Sequence, residues 1–179
     1  MNRTIPIINT GRLSLRPMKS EDFDRFAQIW AMPEVVRYIG GVPRTRAQSW
    51  EVFLRNEGHW QMTGFGQWAI WQAQTRCFVG QTGFFYGTRT LGPDFDAYPE
   101  AGWVLAPEAQ GQGLGSEAVR AAHDWFDRIM PGVLVALIDA EHHASLHLAE
   151  RMGYRTLRVA DVNGRPCQLL RRNGPPAGR

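Results

Sequence analysis

Gly111, Gly113 and Gly115 fall at alternate positions within PEAQGQGLGSEAVRAAHDWF (107–126), where a loop hands over to a helix with periodic apolar residues. Glycine lets a backbone approach a ligand closely, and a helix N-terminus attracts anions through its free N–H groups and its dipole. The chemistry this stretch suggests is phosphate binding. A P-loop needs Lys and then Ser or Thr after its last glycine, but Ser116 and Glu117 follow Gly115. A dinucleotide fingerprint needs glycine where Ser116 stands, and it belongs early in a βαβ unit, whereas this loop lies well into the second half. Two readings remain: a flexible turn, or the pattern Gln-x-x-Gly-x-Gly formed by Gln110, Gly113 and Gly115. Elsewhere, His143 and His147 stand four apart, a spacing two metal ligands can share. No Glu follows His143 and no third ligand is evident, so no metal is expected. Cys77 and Cys167 lack any motif that marks a nucleophile and read as structural thiols.

These residues need elements to hold them. RLSLRPM (12–18) alternates as a half-buried strand, and Ser20 is expected to cap a helix with Phe23, Phe26, Ala27 and Trp30 on one face. MPEVVRYIGGVPR reads as irregular. Thr45 and Gln48 make a capping box for a second helix, with Trp50, Phe53 and Leu54 expected inward. QWAIWQA (67–73) and FVGQTGFFY (78–86) form a hairpin, and GTRTLGPDFDAYPE is a loop leading to the strand AGWVLA (101–106). The helix after the glycines repeats Leu114, Ala118, Ala121, Trp125 and Ile129 until Pro131 and Gly132 break it. VLVALI (133–138) is apolar throughout, the mark of a strand covered on both faces. A last helix carrying Leu148, Ala149 and Met152 stops at Gly153, before the strands YRTLRV and CQLLRR. The order β, two helices, three strands, α, β, α, β-β predicts an α/β protein with one mixed sheet, without repeats or a second domain.

The 179 residues suit a single domain, placed at 10–171, with RNGPPAGR (172–179) as a fraying tail. With 44% apolar and 21% charged residues, the composition is that of an ordinary globular protein. No apolar run is long enough to span a membrane, and the opening MNRTIPIINTG lacks the features of a signal peptide. Two cysteines are too few for a disulfide scaffold, so reduced thiols and a cytoplasmic location are expected. The net charge of +3 is unclustered, which argues against nucleic acid as a partner.

Quoted in order, TGRLSLRPMKSEDFDRF, FGQWAIW, FVGQTGFF, EAGWVLAPEAQGQGLGSEAV and DAEHHASLHLAERMGYR resemble the GNAT superfamily of N-acetyltransferases over about residues 10–170. More narrowly, they are similar to the branch that includes the ribosomal-protein N-terminal acetyltransferases. The resemblance implies a central, mostly antiparallel sheet flanked by about four helices. It also implies that acetyl-CoA is the cosubstrate and that Gln110, Gly113 and Gly115 belong to the loop binding its pyrophosphate. Backbone N–H groups of Gln112, Gly113, Leu114, Gly115 and Ser116 can converge on that group. Val104, Leu105 and Ala106 match the residues whose backbone binds the pantetheine arm along an open strand edge.

Acetyl transfer to an amine needs a proton acceptor, a stabilised oxyanion and a thiolate that can leave; it needs no metal and no covalent enzyme intermediate. Glu100 matches the glutamate that opens the cofactor strand in this branch and is the candidate base. Its alternative is a solvated or fold-stabilising carboxylate. Asp94, Asp96 and Tyr98 could line a cation-attracting mouth beside it, or simply form a solvated turn. The tyrosine that many of these enzymes use as an acid falls on Ala149, and their asparagine falls on His142, a candidate to replace its donor at the cofactor; simple divergence is the alternative. Ser145 matches a serine of the branch that can hydrogen-bond the cofactor sulfur; a first-turn cap is its alternative. The expected function is an N-acetyltransferase acting by direct attack in a ternary complex on a primary amine, either a protein N-terminus or a small molecule. The alternative is a non-catalytic acyl-CoA-binding sensor module. The expected assembly is a monomer or a homodimer.

Overall fold

The computed structural model describes residues 3–175, so residues 176–179 of the expected tail lie outside it. One eight-stranded sheet runs through the molecule in the order β1-β2-β3-β4-β5-β6-β8-β7. Its strands are β1 (Ile8–Asn9), β2 (Leu13–Arg16), β3 (Gln67–Gln72), β4 (Cys77–Phe85), β5 (Glu100–Leu105), β6 (Leu134–Asp139), β7 (Arg155–Val162) and β8 (Arg165–Arg172). All neighbours are antiparallel except β5 and β6, which are parallel and share the single register pair Glu100↔Val135.

Four helices of two turns or more flank the sheet: α1 (Phe23–Trp30), α3 (Arg46–Thr63), α5 (Leu114–Ile129) and α6 (His143–Arg151). Two single turns, α2 (Pro33–Val36) and α4 (Pro93–Asp96), occupy segments that read as irregular, each starting with the proline that suits a first helical position. Among the described residues no helix is long and apolar enough to cross a membrane.

The alternating and apolar patterns fold as their periodicities require. Leu13 and Leu15 of β2 are buried, and β6 is buried along nearly its whole length. The Thr45–Gln48 capping box starts α3. Two apolar layers form on opposite faces of the sheet. α5 and α6 cover one through Leu114, Ala118, Val119, Phe126 and Leu148, and α1 to α3 cover the other through Phe26, Trp30 and Phe53.

Several local expectations are corrected. Ser20 opens a short 3-10 turn without capping it; Asp22 takes the Lys19 N–H and a bidentate pair from Arg16. Trp50 and Leu54 are exposed, because the buried stripe of α3 runs instead through Ser49, Phe53, Asn56 and Trp60. Ile129 is exposed while Ala121 and Trp125 are only partly covered, since the inward stripe of α5 is rotated onto Val119, Ala122, His123 and Phe126. Arg172 does not belong to a tail. It is fully buried at the end of β8, forks onto Asp127 at 2.7 Å twice, and donates to the Met152 carbonyl.

Candidate active site

Beyond Glu100, β5 continues beside β4, while β6 has no further register pair with it. The sheet therefore splits. The Ala106 N–H donates to the Val79 carbonyl, so strand alternation turns the Val104 and Ala106 amides toward β4. Those of Trp103 and Leu105 face the split. Of the three residues expected to offer an open edge, Leu105 is the one oriented to do so, and its carbonyl already accepts Gln110 Nε2 at 3.0 Å.

At the far end of β5, a 3-10 turn over Pro107–Ala109 leads into the glycine stretch. Gly113 is the N-cap of α5 at φ 77°, a left-handed conformation that β-carbons disfavour. Gln112 Nε2 returns to the Glu108 carbonyl at 2.7 Å. The side chains of Gln110 and Gln112 thus brace the loop, leaving the backbone around Gly113 to face outward. Two arginines that the sequence reading missed stand beside it. Arg12 bonds the Gln112 carbonyl at 2.8 Å and pairs with Glu117 at 2.7 Å, and Arg151 donates to Ser116 Oγ at 2.7 Å. They lie 100 and 35 residues from their partners, and no local pattern could connect them. A helix N-terminus with a left-handed glycine and flanking guanidinium groups fits a pyrophosphate.

The split opens into a cleft of about 500 Å³. Its floor is β4 and β5, its roof is α3 and the segment around Tyr38, and its far wall is the β6–α6 junction. Glu100, Ser145 and His142 all line it. Glu100 is buried and receives Arg89 Nε at 2.6 Å and Nη2 at 2.8 Å. Burial raises its carboxyl above the ordinary carboxylate range, with Arg89 pulling the other way. Gly87 permits this position, because a β-carbon there would collide with Glu100 Oε2.

Ser145, in the first turn of α6, accepts Trp103 Nε1 at 2.8 Å across the split. That leaves its own proton free to donate. Trp103 was not singled out by sequence; its place on the cofactor strand was the available signal. His142 precedes α6, stacks on Tyr38 at 4.6 Å, and is held below the ordinary histidine range by burial, against the pull of Asp139. His59 is likewise lowered by burial; its Nδ1 bonds the Phe65 carbonyl and its Nε2 accepts the Tyr86 N–H. Neither ring nitrogen of His59 is therefore free to serve as a base.

The expected cation-attracting mouth is not open. Asp94 is paired with Arg158, Asp96 accepts the N–H groups of Arg89 and Gly92, and Arg171 lies over the Tyr98 ring. His143 and His147 are exposed, the latter 4.0 Å from Glu150. Among the described residues no group of three His, Cys, Asp or Glu side chains could hold a metal. Cys77 is exposed, and Cys167 is buried on the cleft wall.

A described GNAT-family acetyltransferase from Bordetella pertussis is similar over 94% of this chain and 99% of its own, with a TM-score of 0.85 and 31% identity. An uncharacterized Bacillus subtilis (strain 168) protein, YkkB, is 29% identical over 91% of this chain and 93% of its own. A ribosomal L7/L12 N-terminal acetyltransferase is similar over 94% of both chains with a TM-score of 0.74, but at 17% identity the likeness is one of fold and singles out no branch. The model of the GNAT acetyltransferase domain matches residues 12–155, and with the split sheet and glycine turn in place, the chain belongs to the GNAT acetyltransferases.

Proposed function

We propose that this protein is an acetyl-CoA-dependent N-acetyltransferase that acetylates a primary amine by direct attack in a ternary complex. The acceptor is a protein N-terminus, as in the ribosomal-protein branch, or a small molecule. The observation that carries this reading is the split after Glu100↔Val135, which joins the glycine turn at one end to a buried carboxylate at the other. Acetyl-CoA would bring a thioester carbonyl and a thiolate leaving group of pKa about 8.5.

The N–H groups around Gly113 and the guanidinium groups of Arg12 and Arg151 would hold its phosphates, and the Leu105 edge its amide-bearing arm. Glu100 would take the ammonium proton, directly or through water, with burial raising its affinity for that proton against the pull of Arg89. Ser145, polarised by the Trp103 N–H, would donate a hydrogen bond to the departing sulfur. His142 would form part of the cofactor wall in the neutral state. Starting from the ammonium, two protons leave the nitrogen as the N–C bond forms and the C–S bond breaks: one passes through Glu100 to bulk water and the other ends on the departing sulfur. No metal is required by this balance. Two free thiols fit a cytoplasmic protein, working as a monomer or homodimer.

A second reading, a non-catalytic acyl-CoA sensor, draws on the pairing of both Glu100 oxygens with Arg89 and on Ala149 at the family's acid position. Thiol release from acetyl-CoA, followed with a panel of amines and N-terminal peptides, separates the two. Release with any acceptor supports transfer; binding of CoA without release from any acceptor supports the sensor.

A further inference from the structure

The cleft has more positive charge than it can pair. Four arginines line it, Arg44, Arg55, Arg89 and Arg165, against the carboxylates Glu100 and Asp139. Both carboxylates are taken: Glu100 by Arg89, and Asp139 by Arg165 at 2.6 Å. Arg44 and Arg55 face the cleft with no salt bridge among the described residues.

Arg44 is fixed where it stands. Its guanidinium carbon lies 3.5 Å over the Trp30 ring, its backbone N–H donates to the Trp30 carbonyl, and Trp30 itself is tethered through Nε1 to Gln81 on the cleft floor. Arg44 Nη1 is buried with no hydrogen-bond partner. A buried, unpaired guanidinium donor next to a second cation is unfavourable unless an anion is recruited to it. Burial and the neighbouring Arg55 lower its pKa to about 10, which still leaves it charged at neutral pH. Gln81 stands directly opposite Val104 in the sheet, on the face that also carries Gly102 and Glu100. The cationic pair therefore stands over the face of the floor that carries the candidate base and is distinct from the glycine turn that lies beyond Leu105.

We propose that Arg44 and Arg55 bind a carboxylate on the acceptor, so that the substrate class is a small amine carrying its own carboxylate, an amino acid or close analogue. This rests on the acetyltransferase reading above and refines its acceptor. A polyamine would place several positive charges against two unpaired guanidinium groups and is disfavoured on the same ground. The roof of α3 and the Tyr38 segment partly covers the cleft, whose volume of about 500 Å³ is in the range of small-molecule sites.

The test compares α-amino acids with their carboxamides, which keep the size and the amine but lose the charge, alongside spermidine and a short peptide with an acidic first residue. Thiol release from acetyl-CoA should give kcat/KM for the best amino acid about 10–100-fold above its amide, the scale of a charge-assisted hydrogen bond. Arg44→Gln and Arg55→Gln should each collapse that ratio toward one. Equal rates for acid and amide, or a preference for spermidine or the peptide, would overturn the proposal and leave acetyl transfer standing. Calorimetry with an N-acetyl amino acid and its carboxamide, on CoA-loaded protein, gives a readout independent of turnover. Binding of the acid that is lost in Arg44→Gln, with no release from any amine, would keep the anion site and reject catalysis. Absence of binding together with absence of release would reject both.

Discussion

Glu100 carries the sharpest prediction. Glu100→Gln preserves size but cannot accept a proton, so cofactor affinity should hold while kcat falls by about 10² near neutral pH. Because burial raises this carboxyl, its basic form is populated only as pH climbs through the raised value, and wild-type kcat/KM should rise over that window. The mutant's deficit should shrink at alkaline pH, where the acceptor arrives deprotonated. A pH-independent deficit in the pH–rate profile would make Glu100 a positioning residue. For Ser145→Ala a turnover loss of about tenfold is expected, the effect of one neutral hydrogen bond, with CoA affinity unchanged by calorimetry.

At the scale of elements, the glycine turn should be intolerant for two separable reasons. Gly113→Ala imposes a β-carbon on a left-handed position and should reduce stability by about 1 kcal/mol in chemical denaturation. Gly113→Glu adds a like charge at the phosphate site and should abolish CoA binding in calorimetry even where the fold survives. This turn, the strands from β2 to β8 and the Thr45–Gln48 capping box were legible in sequence because each is written in neighbouring residues, whereas the two-residue edge strand β1 carries no pattern of its own. What was not legible spans long separations. Arg12 reaches Gln112 and Glu117, Trp103 reaches Ser145, and Arg89 holds Glu100 from a loop that reads as solvated polar residues. The face of α3 was misjudged at Trp50 and Leu54 because apolar identity alone does not say which side meets the sheet; Ser49 and Asn56 occupy the inward positions instead.

For the molecule as a whole, Arg172 ties the end of β8 to α5 and to the end of α6. Removing one partner leaves a buried charge, so Arg172→Leu should lower the unfolding free energy by about 3–5 kcal/mol in a denaturant titration. Acid stability follows from the two lowered histidines. His59 and His142 have folded pKa values depressed by burial, so the stability they contribute is present above the ordinary value of about 6.5 and is lost as pH falls through the lowered values. Tm should decline in that window, and His59→Gln should flatten the decline.

The lone pair Glu100↔Val135 makes the sheet a book of two leaves, β1 to β5 and β6 to β8, with its spine at the candidate base. Each leaf is sewn internally by antiparallel neighbours, so a change of angle between them would be resisted by the apolar core under α5 and α6 rather than by a further ladder of strand pairs. A ligand filling the gutter would act as a clasp, and leaf angle and affinity would become one equilibrium. The spine has its own reporter, since the Val135 amide bonds to the Pro99 carbonyl. Its hydrogen exchange should slow when CoA binds, and substitutions remote from the gutter that pry the leaves apart should register as weaker cofactor binding before they register as unfolding.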